Sequence, residues 1–266
     1  MGAGSHLERC RRAWDLEAAS GSEWSTPVDA GAIGRARGGD WQVVLTPRRA
    51  VPRARFGELR GLRVLCLASG GGQQAPVLAA AGAQVTSFDL SGAQLEKDRQ
   101  LAERHELDIA CVQGDMADLS VFGDATFDLV FHPVSNVFVP DVAAVWRECH
   151  RVLRAGGALL AGFMNPAMFL FDHDEALRCG ELRVVHRLPY AEPDSLAADA
   201  RRDWESSGRA AEFSHSLEAQ IGGQFDAGFV LTGMYEDHWS DEATPLNRHM
   251  PLAIATRALK TALLQS

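Results

Sequence analysis

The sequence predicts an α/β protein built on a doubly wound, mainly parallel β-sheet. From Gly61 onward, short apolar stretches alternate with helical stretches, as in strands that are joined by crossover helices. Most of these apolar stretches are continuous, which is expected of strands covered on both faces. A glycine run, Gly70–Gly72, directly follows the first of them, as in open sheets that bind a ligand beyond the carboxyl ends of their strands.

Apolar runs bounded by Gly, Pro and polar residues predict the elements of this sheet. The first five strands are predicted at Arg63–Ala68, Gln84–Asp89, Ile109–Gln113, Phe127–His132 and Ala158–Phe163. Helices are predicted between them at Gln74–Ala81, Gly92–Arg104 and Val142–Leu153. A helix at Leu217–Ala227 precedes two further strands, Phe229–Glu236 and Leu252–Arg257, which are expected to form an antiparallel hairpin at the sheet edge.

Two regions lie outside this pattern. Residues 1–60 form an N-terminal segment with a predicted helix at Leu7–Ala19 and predicted loops at Gly31–Asp40 and Thr46–Pro52. Residues 61–266 form the main domain, which is interrupted after the fifth strand by a polar stretch at about 166–216. We interpret this stretch as an insertion that covers the sheet.

The composition narrows the class of function. The 266 residues suffice for one large domain, and 46% hydrophobic with 23% charged residues is ordinary for a globular protein. A net charge of −9 disfavours nucleic acid as a partner, because phosphate binding needs a basic surface. No apolar run approaches the ~20 residues that span a bilayer, and the five cysteines form no C-x-x-C pair. We therefore expect a cytoplasmic protein with reduced thiols and no membrane partner.

The residues that follow the strands point to an adenosine-containing cofactor. Residues 70–75 match the G-x-G-x-x-G/A spacing, in which glycine lets a ligand approach the backbone. Asp89 ends the second strand nineteen residues after Gly70, where a carboxylate can accept hydrogen bonds from both hydroxyls of a ribose. After the third strand, Asp115 could accept from an exocyclic amine, and Met116 could pack on a flat ring. These features alone fit both a nicotinamide cofactor and S-adenosylmethionine.

Five motifs within residues 61–164 resemble the core of the class I S-adenosylmethionine-dependent methyltransferases. They are VLCLASGGG, VTSFDLS, VQGDMADL, FDLVFHPVSN and RVLRAGGALLAG. The later stretches EAQIGGQFDAGFVLTGMYED and PLAIATRAL are similar to the closing helix and edge strands of that family. The resemblance implies a Rossmann-like seven-stranded sheet of order 3-2-1-4-5-7-6 with strand 7 antiparallel, and an N-terminal segment that folds over the cofactor as a lid.

The resemblance also implies S-adenosylmethionine as cofactor and a small molecule as methyl acceptor, although the acceptor atom is not readable. The residues implied to bind the cofactor are Ala68, Ser69, Gly70, Gly72, Gln74, Asp89, Leu90, Gly114, Asp115, Met116 and His132. The sequence departs from the family pattern at Cys66, where the family usually has an acid, and at Ala68, where it usually has glycine. The acid commonly helps to hold the methionyl amino group, so Ser69, the glycine backbone or the N-terminal segment could substitute for it.

Two residues at the end of the fourth strand and in the turn that follows it are candidates for catalysis. His132 is a candidate general base, and a hydrogen-bonded histidine that supports the turn at Pro133 fits equally well. Asn136 could orient the acceptor or cap its own loop. No metal is expected, because the spacings of His132, His173 and His215 match no known ligand pattern.

Other features leave alternatives open. A basic run is interpreted as a solvated face rather than an anion pocket, and it comprises Arg48, Arg49, Arg53, Arg55 and Arg60. An NAD(P)-dependent oxidoreductase fits the glycine loop, but the chain has no Tyr-x-x-x-Lys pair for hydride transfer. A non-catalytic scaffold or regulator that binds S-adenosylmethionine fits the departure at Cys66.

Overall fold

Seven strands form one mixed β-sheet in the computed structural model, which describes residues 3–192 and 194–261. The strands are β1 (Arg63–Leu67), β2 (Gln84–Asp89), β3 (Ile109–Gln113), β4 (Phe127–His132), β5 (Leu153–Met164), β6 (Phe229–Asp237) and β7 (Ala253–Lys260). Their order is β3-β2-β1-β4-β5-β7-β6, and β7 runs antiparallel to both of its neighbours. The α/β fold class and the implied strand order are both confirmed.

Helices flank the sheet on both faces. They are α1 (Ala3–Ser20), α2 (Ala30–Arg37), α3 (Gln74–Ala80), α4 (Gly92–His105), α5 (Val142–Val152), α6 (His173–Cys179), α7 (Ala198–Ser207) and α8 (Gly223–Asp226). A short π-helical turn at Glu218–Gly222 runs into α8, and together they occupy the helix predicted at 217–227. Within the described ranges, no helix combines the length and the apolar character needed to cross a membrane.

The two faces of β1 explain why its sequence is continuously apolar. Val64 and Cys66 pack with α2 and α3 in one core cluster, whereas Leu65 and Leu67 pack with α5 in another. All four side chains are fully buried. Cys66 is therefore a core residue, and burial raises the pKa of its thiol and keeps it uncharged.

Helix α2 lies where the sequence predicts a loop. Asp29 caps it by accepting a hydrogen bond from the Ala32 N–H at 2.7 Å. Ile33 and Ala36 face the core and are almost fully buried. The predicted loop at 31–40 is therefore wrong, because the cap and the burial outweigh the low helix propensity of the glycines.

Strand β5 starts at Leu153 rather than at the predicted Ala158. Leu153 is the register partner of Phe127 on β4, and the main pairing resumes at Ala158. Between them Gly156 has a φ of 77°, a left-handed conformation that glycine adopts readily. The helix predicted to end at Leu153 accordingly ends one residue earlier, at Val152.

The polar insertion after β5 contains α6 and α7 and packs on the carboxyl edge of the sheet. A third core cluster joins Phe169 and Tyr190 of the insertion to Val137, Met164 and Leu252. The rings of Phe169 and Tyr190 stack with their centroids 5.6 Å apart. The insertion is thus anchored above the ends of β4 and β5.

Candidate functional site

A cavity of about 670 Å³ lies along the carboxyl edge of the sheet. The residues at and after the ends of β1 to β5 form its walls, together with helix α1, the insertion, other residues of the N-terminal segment such as Trp24 and Val44, and Trp239 after β6. Its volume lies within the range of about 300–1,000 Å³ that is typical of small-molecule sites. Most of the residues predicted to bind a cofactor line it, and these are Ala68, Ser69, Gly70, Gln74, Asp89, Leu90, Gly114, Asp115 and Met116.

The glycine loop fits tightly against the end of β2. The Gly70 N–H donates to Asp89 Oδ2 at 3.0 Å. A Cβ atom at Gly70 would lie 3.2 Å from that oxygen and 2.8 Å from Gln94 Cβ, so the loop has no room for a side chain there. The Gly72 N–H donates instead to Asp98 Oδ1 at 2.9 Å, and Gly72 does not line the cavity.

Asp89 presents a carboxylate to the cavity. Its Oδ1 accepts from the Ser91 N–H at 2.9 Å, and its Oδ2 holds the Gly70 N–H. Burial raises the pKa of this carboxyl, and the two backbone donors oppose that shift. Because each carboxylate oxygen has a second lone pair, Asp89 can accept from two ribose hydroxyls while it holds the loop.

The neighbouring groups fit the remaining parts of S-adenosylmethionine. Ser69 lines the cavity, and its hydroxyl is buried without a hydrogen-bond partner in the described part of the chain. A buried hydroxyl without a partner costs ~1–3 kcal/mol, so this position favours a polar ligand group such as the methionyl end. Beyond β3, Asp115 holds the Ala117 N–H at 3.0 Å, and Leu90 and Met116 give the same wall apolar surface that suits adenine.

His132 is a core residue. It is fully buried, its Nδ1 lies 3.0 Å from the Leu67 carbonyl oxygen, and its ring stands edge-on to Trp146 with centroids 6.0 Å apart. Burial lowers the pKa of its imidazole to about 4. His132 does not line the cavity. The geometry therefore favours a structural histidine over a general base or a cofactor ligand.

Asn136 is also engaged in packing. Its Nδ2 donates to Gln220 Oε1 at 3.0 Å, and Gln220 Nε2 donates back to Asn136 Oδ1 at 3.2 Å. Both side chains are buried, so Asn136 neither faces the cavity nor caps its own loop. The His215 ring lies 2.9 Å from the Val139 carbonyl oxygen, and His173 is held similarly by a hydroxyl and a carbonyl. These polar side chains fix loops around the cavity.

The basic run of the N-terminal segment lies outside the cavity walls. The Arg53 guanidinium lies 4.9 Å from the centre of the Trp41 ring, and that of Arg49 lies 4.7 Å from the centre of the Tyr235 ring. These contacts attach the segment to the sheet.

Helix α1 covers the cavity and is bonded to elements on both sides of it. Arg9 donates to the carbonyl oxygens of Trp204 at 2.6 Å and Arg209 at 2.7 Å, and its guanidinium lies 3.8 Å from the centre of the Trp204 ring. Asp15 Oδ1 accepts from the Ser91 hydroxyl at 2.6 Å. Helix α1 is thus tied both to the end of α7 and to the start of α4.

Two glutamines fasten the N-terminal segment to the glycine loop. Gln73 Nε2 donates to the Glu23 carbonyl oxygen at 2.6 Å. Gln74 Oε1 accepts from the Val44 N–H at 3.0 Å. The two side chains therefore order the segment that covers the cavity.

Glu212 is a cavity residue that sequence reasoning missed. It belongs to no motif and lies in the insertion, far along the chain from the strand ends. The one available signal is local: a single acid stands between Ala211 and Phe213.

Fold and site together define an α/β protein whose cavity at the carboxyl edge fits an adenosine-containing cosubstrate. A family model described as "Methyltransferase domain" matches residues 65–161. The chain is 48% identical over 249 residues to "Uncharacterized methyltransferase YbaJ" of Bacillus subtilis (strain 168), which covers 94% of this chain and 96% of that protein.

Solved structures show the same fold. An S-adenosylmethionine-dependent methyltransferase from Mesorhizobium loti aligns with a TM-score of 0.61 at 22% identity, covering 78% of this chain and 94% of that one. The 1,6-didemethyltoxoflavin-N1-methyltransferase of Burkholderia thailandensis aligns with a TM-score of 0.59 at 17% identity, covering 98% of this chain and 92% of that one.

The chain belongs to the class I S-adenosylmethionine-dependent methyltransferases. It is an enzyme, and S-adenosylmethionine is its methyl donor. The alternatives of an NAD(P)-dependent oxidoreductase and of a non-catalytic scaffold are therefore not retained.

Proposed function

We propose that this methyltransferase acts on a small molecule with a largely apolar body that binds beside the ends of β4 and β5. The observation that carries the proposal is the continuity of the cavity, whose walls run from Asp89 and Met116 to Met164 and Phe169. Strands β2 and β3 lie on one side of β1, and β4 and β5 lie on the other, so these residues belong to opposite ends of the cavity. Donor and acceptor can then share one enclosed space.

The end of the cavity at β1, β2 and β3 is assigned to the cofactor. Asp89 accepts from the ribose hydroxyls, and Asp115 accepts from the adenine amine between Leu90 and Met116. With Cys66 enclosed in the core, the unpartnered Ser69 hydroxyl and the loop backbone hold the methionyl end. When bound, S-adenosylmethionine supplies a methyl group that is already activated by its positive sulfur.

The chain's own contribution is to align the acceptor and to exclude water. Two edge-on aromatic pairs belong to the cavity walls: Trp14 with Phe138, centroids 5.2 Å apart, and Trp24 with Trp239, centroids 5.5 Å apart. Each pair joins the N-terminal segment to the main domain. The N-terminal segment, which covers the cavity, thus places apolar aromatic surface against the acceptor.

The comparisons support a small acceptor. The neighbour from Burkholderia thailandensis is described with 1,6-didemethyltoxoflavin and S-adenosylhomocysteine bound. A cavity of about 670 Å³ beneath a helix suits a small compound, and the acidic net charge gives no support to a nucleic-acid acceptor.

Isothermal titration calorimetry followed by an acceptor screen tests the proposal. S-Adenosylhomocysteine should bind the purified chain, and NAD, as the control, should not. Pools of small amines, phenols and thiols are then incubated with isotopically labelled S-adenosylmethionine, and methylated products are identified by mass spectrometry. Methylation of a compound that does not bind in the cavity would contradict the assignment. Binding of NAD without binding of S-adenosylhomocysteine would contradict it as well.

A further inference from the structure

Glu212 lies at the acceptor end of the cavity. It follows α7 on a segment that is bonded to the residues after β4, since the Phe213 N–H donates to the Val137 carbonyl oxygen at 2.7 Å. Glu212 lines the cavity together with Phe138 and Phe169. The lining of the cavity therefore combines an acidic group with aromatic side chains.

The Glu212 carboxylate makes no hydrogen bond or ion pair to the described residues, because the nearby donors are engaged elsewhere. The Tyr190 hydroxyl donates to Glu192 Oε1 at 3.2 Å. The Arg209 guanidinium lies 3.9 Å from the same Glu192 oxygen. On α1, the His6 ring is hydrogen-bonded to a backbone carbonyl oxygen at 2.9 Å.

The charges of the cavity lining as a whole favour a cation. Burial, together with the neighbouring Glu192, raises the pKa of Glu212 to about 7, and the exposed Arg209 opposes that shift. Among the described residues that line the cavity, Arg209 is the one Lys or Arg side chain. The lining carboxylates are Glu17, Asp89, Asp115, Asp141 and Glu212.

We infer that Glu212 is an acceptor-binding residue and that the acceptor carries a cationic nitrogen, such as a primary ammonium, on an apolar body. The inference rests on the proposed function, since it takes the cavity to hold the acceptor beside the cofactor. An ammonium group would give the carboxylate the charge-assisted hydrogen bond that the protein leaves unmade. Phe138 and Phe169, which line the same cavity, offer aromatic surface that can pack on the apolar body.

Matched ligands test the inference on the full chain. Primary amines from hexylamine to phenylbutylamine are titrated into protein saturated with S-adenosylhomocysteine, each beside the alcohol and the carboxylate of the same skeleton. At least one amine should bind about 10-fold or more tightly than its alcohol, and the carboxylates should bind most weakly. Glu212→Gln should abolish the preference and leave S-adenosylhomocysteine affinity within about two-fold.

Glu181→Gln is the matched control, because Glu181 is an exposed glutamate of the same insertion and lies outside the cavity walls. This variant should keep the wild-type preference for amines. A loss of the preference in both variants would mean that the effect does not come from Glu212.

Proton release gives a measurement on the wild-type chain alone. The charged and titratable groups that act on Glu212 are Glu192, Arg209 and Tyr190, and the pKa of Glu212 itself is about 7. Binding of an ammonium group at neutral pH should therefore displace part of a proton, so the apparent enthalpy should depend on the ionisation enthalpy of the buffer. The matched alcohol should show no such dependence.

The outcomes separate the two proposals. If S-adenosylhomocysteine does not bind the wild-type chain, the proposed function fails. If it binds and no amine is preferred over its alcohol, or if Glu212→Gln keeps the preference, the inference about Glu212 is overturned and the proposed function stands.

Discussion

Asp89 and Gly70 are joined by a hydrogen bond of 3.0 Å, so the carboxylate assigned to the cofactor ribose also fixes the glycine loop. The contact leaves no space for a side chain on Gly70, whose Cβ would lie 3.2 Å from the bonded carboxylate oxygen. Recognition of the ribose and the shape of the loop therefore depend on one side chain.

Substitution of Asp89 tests this coupling. Asp89→Ala should weaken binding of S-adenosylhomocysteine by ~1.5–3 kcal/mol, the range for hydrogen bonds to a charged group. It should also lower the free energy of unfolding, because the Gly70 and Ser91 N–H groups lose their acceptor. Asp89→Asn keeps one oxygen and should lose less stability. Calorimetry and urea unfolding measure the two effects, and unchanged affinity in folded Asp89→Ala would contradict the ribose assignment.

Asp98 supports the same loop from inside the core. It is fully buried and accepts from the Gly72 N–H at 2.9 Å and from the Ser87 hydroxyl at 2.6 Å. Burial raises the pKa of this carboxyl to about 7, and its two hydrogen bonds oppose the shift. The loop therefore rests on a carboxyl that titrates near neutral pH.

Asp98→Asn should remove a pH dependence of stability. The unfolded carboxyl titrates near 3.8 and the folded one near 7, so the folded chain binds more protons between these values. The stability that this excess contributes is present at low pH and is lost as the pH rises towards 7. Relative to wild type, Asp98→Asn should gain about 1–3 kcal/mol between pH 5 and pH 8. Urea unfolding at both values tests this, and parallel profiles would show that Asp98 does not titrate there.

Ala68 stands in a conformation that disfavours its side chain. Its φ is 48°, in the left-handed region, at the position where glycine is usual in the family. Ala68→Gly should therefore raise the free energy of unfolding by about 0.5–1 kcal/mol. The substitution removes the penalty of the left-handed conformation, and the greater freedom of glycine in the unfolded chain offsets part of that gain. Ala102→Gly, inside α4, is the control and should destabilise by about 1 kcal/mol. Equal losses in both variants would argue against strain at Ala68.

The sequence was most informative for functional residues that lie at the ends of strands. Continuous apolar runs located β1, and residues at or just after the strand ends, such as Ser69 and Asp89, line the cavity. These positions are local in the chain, because the carboxyl ends of parallel strands meet at one edge.

The sequence was least informative where a residue's place in the cavity depends on which face of a strand it occupies or on how a distant segment folds. Side chains alternate along β4, so that Phe131 joins the cluster with α2 and α3, whereas Val130 joins the cluster with α5. By this alternation His132 falls on the side of α5, against Trp146, and not in the cavity. Glu212 reaches the cavity through the fold of an insertion that has no clear periodicity, so no pattern in the chain marks it.

Arg9 should control how firmly α1 and α7 cover the cavity. It bonds to three carbonyl groups in and just after the last turn of α7, and it lies over the buried Trp204 ring. Arg9→Ala should lower the hydrogen-exchange protection of α7 amides about ten-fold, with little change in the strands of the sheet. Arg12→Ala is the control, since Arg12 is exposed and bonds to Glu8 on the same helix. Equal protection in Arg9→Ala and wild type would show that α7 is held by other contacts.

His132 provides the decisive comparison between a structural and a catalytic role. His132→Ala should lower the free energy of unfolding by about 3 kcal/mol, because it leaves a cavity beside Trp146 and removes the bond to Leu67. Binding of S-adenosylhomocysteine should change by less than about three-fold, since His132 lies outside the cavity walls.

The pH dependence of that loss adds a second test. The imidazole of His132 has a pKa of about 4 in the folded chain and 6.5 when unperturbed, so the unfolded chain binds more protons between these values. Wild-type stability is therefore lost as the pH falls through this window, and the deficit of His132→Ala should be ~1–2 kcal/mol smaller at pH 5 than at pH 7. A variant with wild-type stability at both pH values that has nevertheless lost methyl transfer would instead establish His132 as the general base.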